Sequence, residues 1–100
     1  MRSIWKYQLN RENTEQVITM QKGFVPLHVG LDPAGDMCIW GLVDEQAPLC
    51  NCRVIVYGTG GLTLDSHDTI LSDYVGTVHD GLFVWHVFFG GDVGPGENDE

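Results

Sequence analysis

At 100 residues, 43% hydrophobic and 19% charged, the chain has room for one globular domain and is too apolar to be intrinsically disordered. Its net charge is −9 and no apolar run reaches membrane-span length, which excludes a spanning helix and argues against direct contact with nucleic-acid phosphates or anionic membranes. The three cysteines form no even set for a disulfide framework, and Met1 to Tyr7 lack the apolar core of a signal peptide, so a cytosolic setting with reduced thiols is expected.

Residues 4–9 alternate Trp5, Tyr7 and Leu9 with Lys6 and Gln8, the pattern of a half-buried strand. A polar turn follows at residues 10–13, then a short second strand at 16–20. Residues 24–31 read as strand three. Pro26 cannot donate to a ladder, which puts this strand on a sheet edge or the proline at its start. The turn Asp32-Pro33-Ala34-Gly35-Asp36 lies between two apolar runs and predicts a hairpin into strand four, residues 37–43. Met37, Ile39, Gly41 and Val43 share one face of that strand; Cys38, Trp40 and Leu42 share the other. Being apolar on both faces, it is expected in a central position, and Gly41 among bulky neighbours points to a bulge or a close contact.

After a loop carrying Pro48, residues 52–57 form strand five, closed by Gly58-Thr59-Gly60-Gly61. Residues 62–72 hold at most one helical turn, capped by Asp65. Residues 73–79 make strand six, and Asp80-Gly81 marks a tight hairpin into strand seven. That last strand, residues 82–89, carries eight uncharged side chains. Leu82, Val84, His86 and Phe88 point one way; Phe83, Trp85, Val87 and Phe89 point the other. It needs cover on both sides and is expected to be the central strand. Residues 92–100 offer little to bury and read as a disordered acidic tail behind a single domain of residues 1–91. Seven short strands with regular turns predict an all-β fold, a small antiparallel β-sandwich or barrel.

Charge is distributed unevenly. Arg2, Lys6, Arg11, Lys22 and Arg53 are the only basic residues, and none follows position 53. Asp65, Asp68, Asp73 and Asp80 fall in the acidic second half and are the candidates for steering a basic protein partner. Acidity alone also serves solubility.

Four chemical readings compete. Gly58-Thr59-Gly60-Gly61 resembles a phosphate cradle, but such loops aim the amides of a following helix at the anion, and Leu62-Thr63-Leu64 reads as extended. Cys50-x-Cys52 places two thiols on one side of a strand, a weak zinc signal beside the paired Cys-x₂-Cys spacing of true sites. His86 either acts as a general base near Asp80 or Asp73 or is a satisfied core histidine. The aromatic residues, rich for this size, fill the core, line a cleft, or build a homo-oligomer interface. No cofactor is called for.

Trp5-Lys6-Tyr7, Tyr57-Gly58-Thr59-Gly60 and Trp85-His86-Val87-Phe88 carry a resemblance. Over about residues 2 to 89 the chain resembles a family of small tailed-bacteriophage proteins, a domain of unknown function. Cys50-x-Cys52 and the Gly-rich acidic end depart from that pattern. The resemblance brings no activity. It implies a non-enzymatic accessory protein in the host cytoplasm that binds a host protein with a basic surface, as an anti-defence (anti-CRISPR-like) inhibitor working through its acidic surface. The alternative is a sponge that sequesters a nucleotide immune signal in an aromatic-lined pocket built from Tyr57, Thr59, Gly60, Arg53 and Trp40.

Overall fold

Alternation of apolar and polar side chains sorts the chain into strands whose inner faces close on one another. The computed structural model describes residues 1–60 and 73–96. Among the described residues there are seven strands: β1 (Arg2–Gln8), β2 (Glu15–Gln21), β3 (Val25–Leu31), β4 (Met37–Asp44), β5 (Leu49–Gly58), β6 (Asp73–Asp80) and β7 (Phe83–Pro95). They form two antiparallel sheets, ordered β1-β4-β3 and β2-β5-β7-β6. The fold is thus a small all-β sandwich. The helical turn expected within residues 62–72 lies outside the described residues.

The core is the space between the sheets. Val29, Met37, Ile39 and Val43 enter it from one sheet, and Met20, Cys50, Cys52, Val54, Val56, Val78 and Val87 from the other. Met20, Ile39, Val54 and Val87 have no exposed surface, and burying each such side chain stabilises the fold by about 1.5–3 kcal/mol. Phe24, in the turn before β3, links the layers. Its ring centroid lies 5.7 Å from that of Tyr7 on β1 and 5.5 Å from that of Phe89 on β7. The ring passes directly over Gly41, where a Cβ would stand 2.2 Å from Cζ of Phe24 and 2.6 Å from the Val25 carbonyl oxygen. This is the close contact expected at Gly41, and a register shift between Pro26 and His28 lies beside it.

The two predicted hairpins form. Asp32 organises the first: its Oδ1 accepts the Ala34 and Asp36 amides at 3.0 and 2.9 Å, and its Oδ2 accepts from Lys6 Nζ at 2.8 Å. The second has Asp80 paired with Phe83, so Gly81 and Leu82 are its central residues. Gly81 has φ 60° while Leu82 stays at negative φ, the signature of a type II′ turn. Pro26 lies on β3 at a sheet edge, as expected.

Three expectations are corrected. First, β7 is extended and lies between β5 and β6, but it is not covered on both sides. Leu82 is in the turn and 99% exposed, Phe83 is 64% exposed, and Val84, His86 and Phe88 are half-buried. A sandwich of two layers covers one face of each sheet, so a two-faced apolar strand keeps one face partly open. Trp40 and Leu42, on the outer face of β4, are half-buried for the same reason. Second, residues 92–96 are ordered, where a disordered tail over 92–100 was expected; residues 97–100 lie outside the described residues. β7 continues to Pro95, pairing with Asn51 and Cys50, and the Gly96 amide reaches the Leu49 carbonyl at 3.2 Å. Backbone ladder bonds hold this stretch, and they do not depend on side-chain hydrophobicity. Third, β5 begins at Leu49 and takes in Cys50, which extends it beyond the expected residues 52–57.

Two outcomes follow from these contacts. Gly41→Ala forces a methyl into the Phe24 ring and should lower unfolding free energy by about 1–3 kcal/mol in a urea titration. The Lys6 ammonium and the turn amides hold the Asp32 carboxyl down to about 2, from an ordinary 3.8. The unfolded chain therefore binds its proton first, so this stabilisation is full above pH 3.8 and drains away as pH falls through about 2. Asp32→Asn should be less stable than the parent at neutral pH, with the gap closing across that acid window.

Candidate functional site

At one end of the sandwich β5 and β7 meet the segment between β1 and β2, where the Thr14 carbonyl accepts the Val56 amide at 2.6 Å. The result is a cleft of about 860 Å³ lined by Arg11, Glu12, Thr14, Val56, Tyr57, Gly58, Asp80, Gly81, Leu82, Phe83 and Trp85, within the size range of small-ligand and side-chain pockets. Phe83 and Trp85, two apart on β7, stack nearly parallel with centroids 5.9 Å apart and an interplanar angle of 21°. Trp85 lies across Gly58 on the neighbouring strand, where a Cβ would be 3.4 Å from ring atom Cζ3. Its indole Nε1 is buried and has no hydrogen-bond acceptor among the described residues.

The charge of the cleft is set by three residues. Arg11 pairs with Asp80, and its second guanidinium nitrogen donates to the Gly35 carbonyl at 3.1 Å. One side chain thereby ties the β6–β7 hairpin to the β3–β4 hairpin. Its charge is already met by Asp80. Glu12 makes no ion pair among the described residues, so the wall carries a surplus negative charge.

The residues expected to form a nucleotide pocket do not converge. Tyr57 reaches the cleft, and its ring also packs edge-on to Phe88 at 6.1 Å on the sheet's outer face. Thr59 and Gly60 form the turn after β5, and the Thr59 hydroxyl is 2.5 Å from His86 Nε2. Arg53 pairs with Glu15 at 3.1 Å, toward the β2 edge. Trp40 belongs to the other sheet, on the face away from the core, where it packs against His28 at 5.7 Å. A strand pattern says which residues share a face but not which sheet receives the strand, and that is why Trp40 stands apart from Tyr57, Thr59, Gly60 and Arg53.

His86 is likewise occupied. Its Nε2 faces Thr59 and its Nδ1 lies 3.3 Å from the Thr77 hydroxyl, which in turn bonds Tyr74. Hydroxyls donate or accept as needed, so both ring nitrogens are satisfied without a carboxylate. Asp80 points to the opposite face of the sheet. Of the acids expected at a partner surface, Asp73 is exposed at the start of β6 and Asp80 is neutralised by Arg11; Asp65 and Asp68 lie outside the described residues. Arg11, Glu12 and the Leu82–Phe83 tip were not singled out. A two-residue hairpin read with Gly81 first would have put Leu82 at the tip; nothing in the sequence pairs Arg11 with Asp80.

Cys50 and Cys52 do point the same way, with Sγ atoms 3.6 Å apart in the core. Among the described residues no group of three or more His, Cys, Asp or Glu side chains is placed to hold a metal ion. Burial, then the hydrogen bond and charge of Cys50, pushes the Cys52 thiol up to about 12 from 9.0. The native state therefore keeps this proton longer than the unfolded chain, and stability should fall as pH rises from 9 toward 12. A thiol reagent added at neutral pH should label Cys50 and Cys52 only as fast as the protein opens, so labelling rates should rise with urea in step with global unfolding.

No curated protein and no solved structure matches this chain. A family model described as Domain of unknown function (DUF7352) matches residues 1–96, and the chain belongs to that family.

Proposed function

We propose that the chain is a non-enzymatic binding protein whose partner is a protein with a basic surface. The observation that carries this reading is the apolar tip of the β6–β7 hairpin. Leu82 and Phe83 are 99% and 64% exposed on a chain of net charge −9. Neighbouring large apolar side chains left open to water at a turn cost solvation free energy unless a partner covers them. Here they border a cleft with a negative wall, which is the arrangement of an apolar anchor inside a polar, charged rim. The resemblance to small tailed-phage proteins supplies the setting: a phage accessory protein in the host cytoplasm, acting as an anti-defence (anti-CRISPR-like) inhibitor of a host factor.

A second reading, a sponge for a nucleotide signal, draws on the stacked Phe83–Trp85 pair. The charge of the cleft weighs against it. Arg11 is spent on Asp80, and Glu12 repels phosphate, so a nucleotide would find a stacking platform without a counter-ion for its charge.

The test is capture from phage-infected cells, followed by affinity measurement with the purified, identified partner. Affinity should fall steeply between about 0.05 and 0.5 M salt, and Leu82→Ser should weaken it about tenfold or more, as expected for an anchor at the centre of an interface. An affinity indifferent to salt would remove the electrostatic half of the proposal. A shift in thermal stability with cyclic dinucleotides or ADP-ribose derivatives would instead favour the sponge.

A further inference from the structure

We infer that the end cleft receives a cationic side chain, an arginine of the partner; this rests on the protein-binding reading above and adds the chemistry of recognition. Two features of the cleft converge on such an occupant. The first is charge. With Arg11 held by Asp80 and by the Gly35 carbonyl, the unpaired charge among the described residues of the wall is the Glu12 carboxylate. A cation entering there gains an ion pair, and an anion gains none. The second is the aromatic pair. Phe83 and Trp85 present stacked rings, 5.9 Å between centroids, and the planar guanidinium stacks on such faces better than a compact ammonium does. An arginine supplies both complements together, whereas an ammonium lacks the planar face and a nucleotide lacks the positive charge.

The probe is a synthetic peptide, acetyl-Gly-Arg-Gly-Arg-Gly-amide, titrated into the full chain while the indole N–H signals are followed by NMR. Saturable binding should shift the Trp85 indole signal as the guanidinium settles on the ring pair. The citrulline counterpart keeps the shape and loses the charge, and it should bind at least about threefold more weakly, as should the lysine counterpart, which keeps the charge and loses the planar face. Glu12→Gln and Phe83→Ala, both at exposed positions where folding is not at stake, should each reduce peptide affinity by a similar factor. Equal binding of the arginine and citrulline peptides would overturn the inference, as would affinities untouched by both substitutions. The two proposals fail separately. A partner captured equally well by Glu12→Gln and Phe83→Ala would sink the cleft assignment and leave protein binding standing. Saturable peptide binding with no salt-sensitive partner from infected cells would sink the protein-binding reading instead.

Discussion

The ring of Phe24 against the bare backbone of Gly41 is the contact on which the arrangement of layers depends. Two sheets of three and four strands give a thin core, and most of its side chains are valines and cysteines that reach only part of the way across. Phe24 spans the gap, touching Tyr7 in one sheet and Phe89 in the other. It can do so only because position 41 has no side chain, which lets the ring settle onto β4. Aromatic pairs with this edge and tilt geometry contribute about 0.5–1.5 kcal/mol each beyond the area they bury. In a domain of this size, where total stability is of the order of 5–15 kcal/mol, two such pairs set the spacing of the sheets as well as adding to it.

With the sheets held at that spacing, the ends of the sandwich are left to the turns. At one end Asp32 gathers the β3–β4 turn around itself and clasps Lys6, and Arg11 reaches from the β1–β2 turn to Asp80 and Gly35. Three of the five basic residues are used in ion pairs, Lys6, Arg11 and Arg53. Little positive charge is left to offset the surplus of acid. The field outside the molecule is the residue of what the internal pairs have consumed, and this is why the cleft, despite containing an arginine, presents negative charge.

Much of the architecture was legible. The Asp-Pro-Ala-Gly-Asp turn, the Asp-Gly hairpin, the edge position of Pro26 and the close contact at Gly41 all follow from local backbone rules, which act over a few residues and so leave local traces. What was not legible depends on distance or on parity. Trp40 and Tyr57 have the same aromatic character, and alternation cannot say that they belong to outer faces of different sheets. The two register shifts in β7 opposite Asn51–Cys52 and Arg53–Val54 let a glycine-rich segment stay in the ladder that its composition would have released. The Arg11–Asp80 pair joins residues from opposite ends of the chain, and a polar turn gives no sign of where a long side chain will land. Leu82 was misplaced by one position in a hairpin, and that single step moves a residue from a strand face to the tip of a turn.

Packing constrains the positions of the core and leaves the rim of the cleft open to other demands. The inner-face valines and the Phe24–Gly41 contact constrain each other through packing, so change there disturbs the spacing of both layers. The cleft is built otherwise. Its floor comes from β5 and β7, which are fixed by the core, while its rim comes from two turns, residues 10–14 and 80–83, whose side chains project away from it. A turn of type II′ demands a glycine at its first central position and almost nothing at its second. Leu82 is therefore free of the turn's requirements and stands open to water beside Phe83, and this is why the proposed contact with a partner is placed at this hairpin and not on the strands that the core holds.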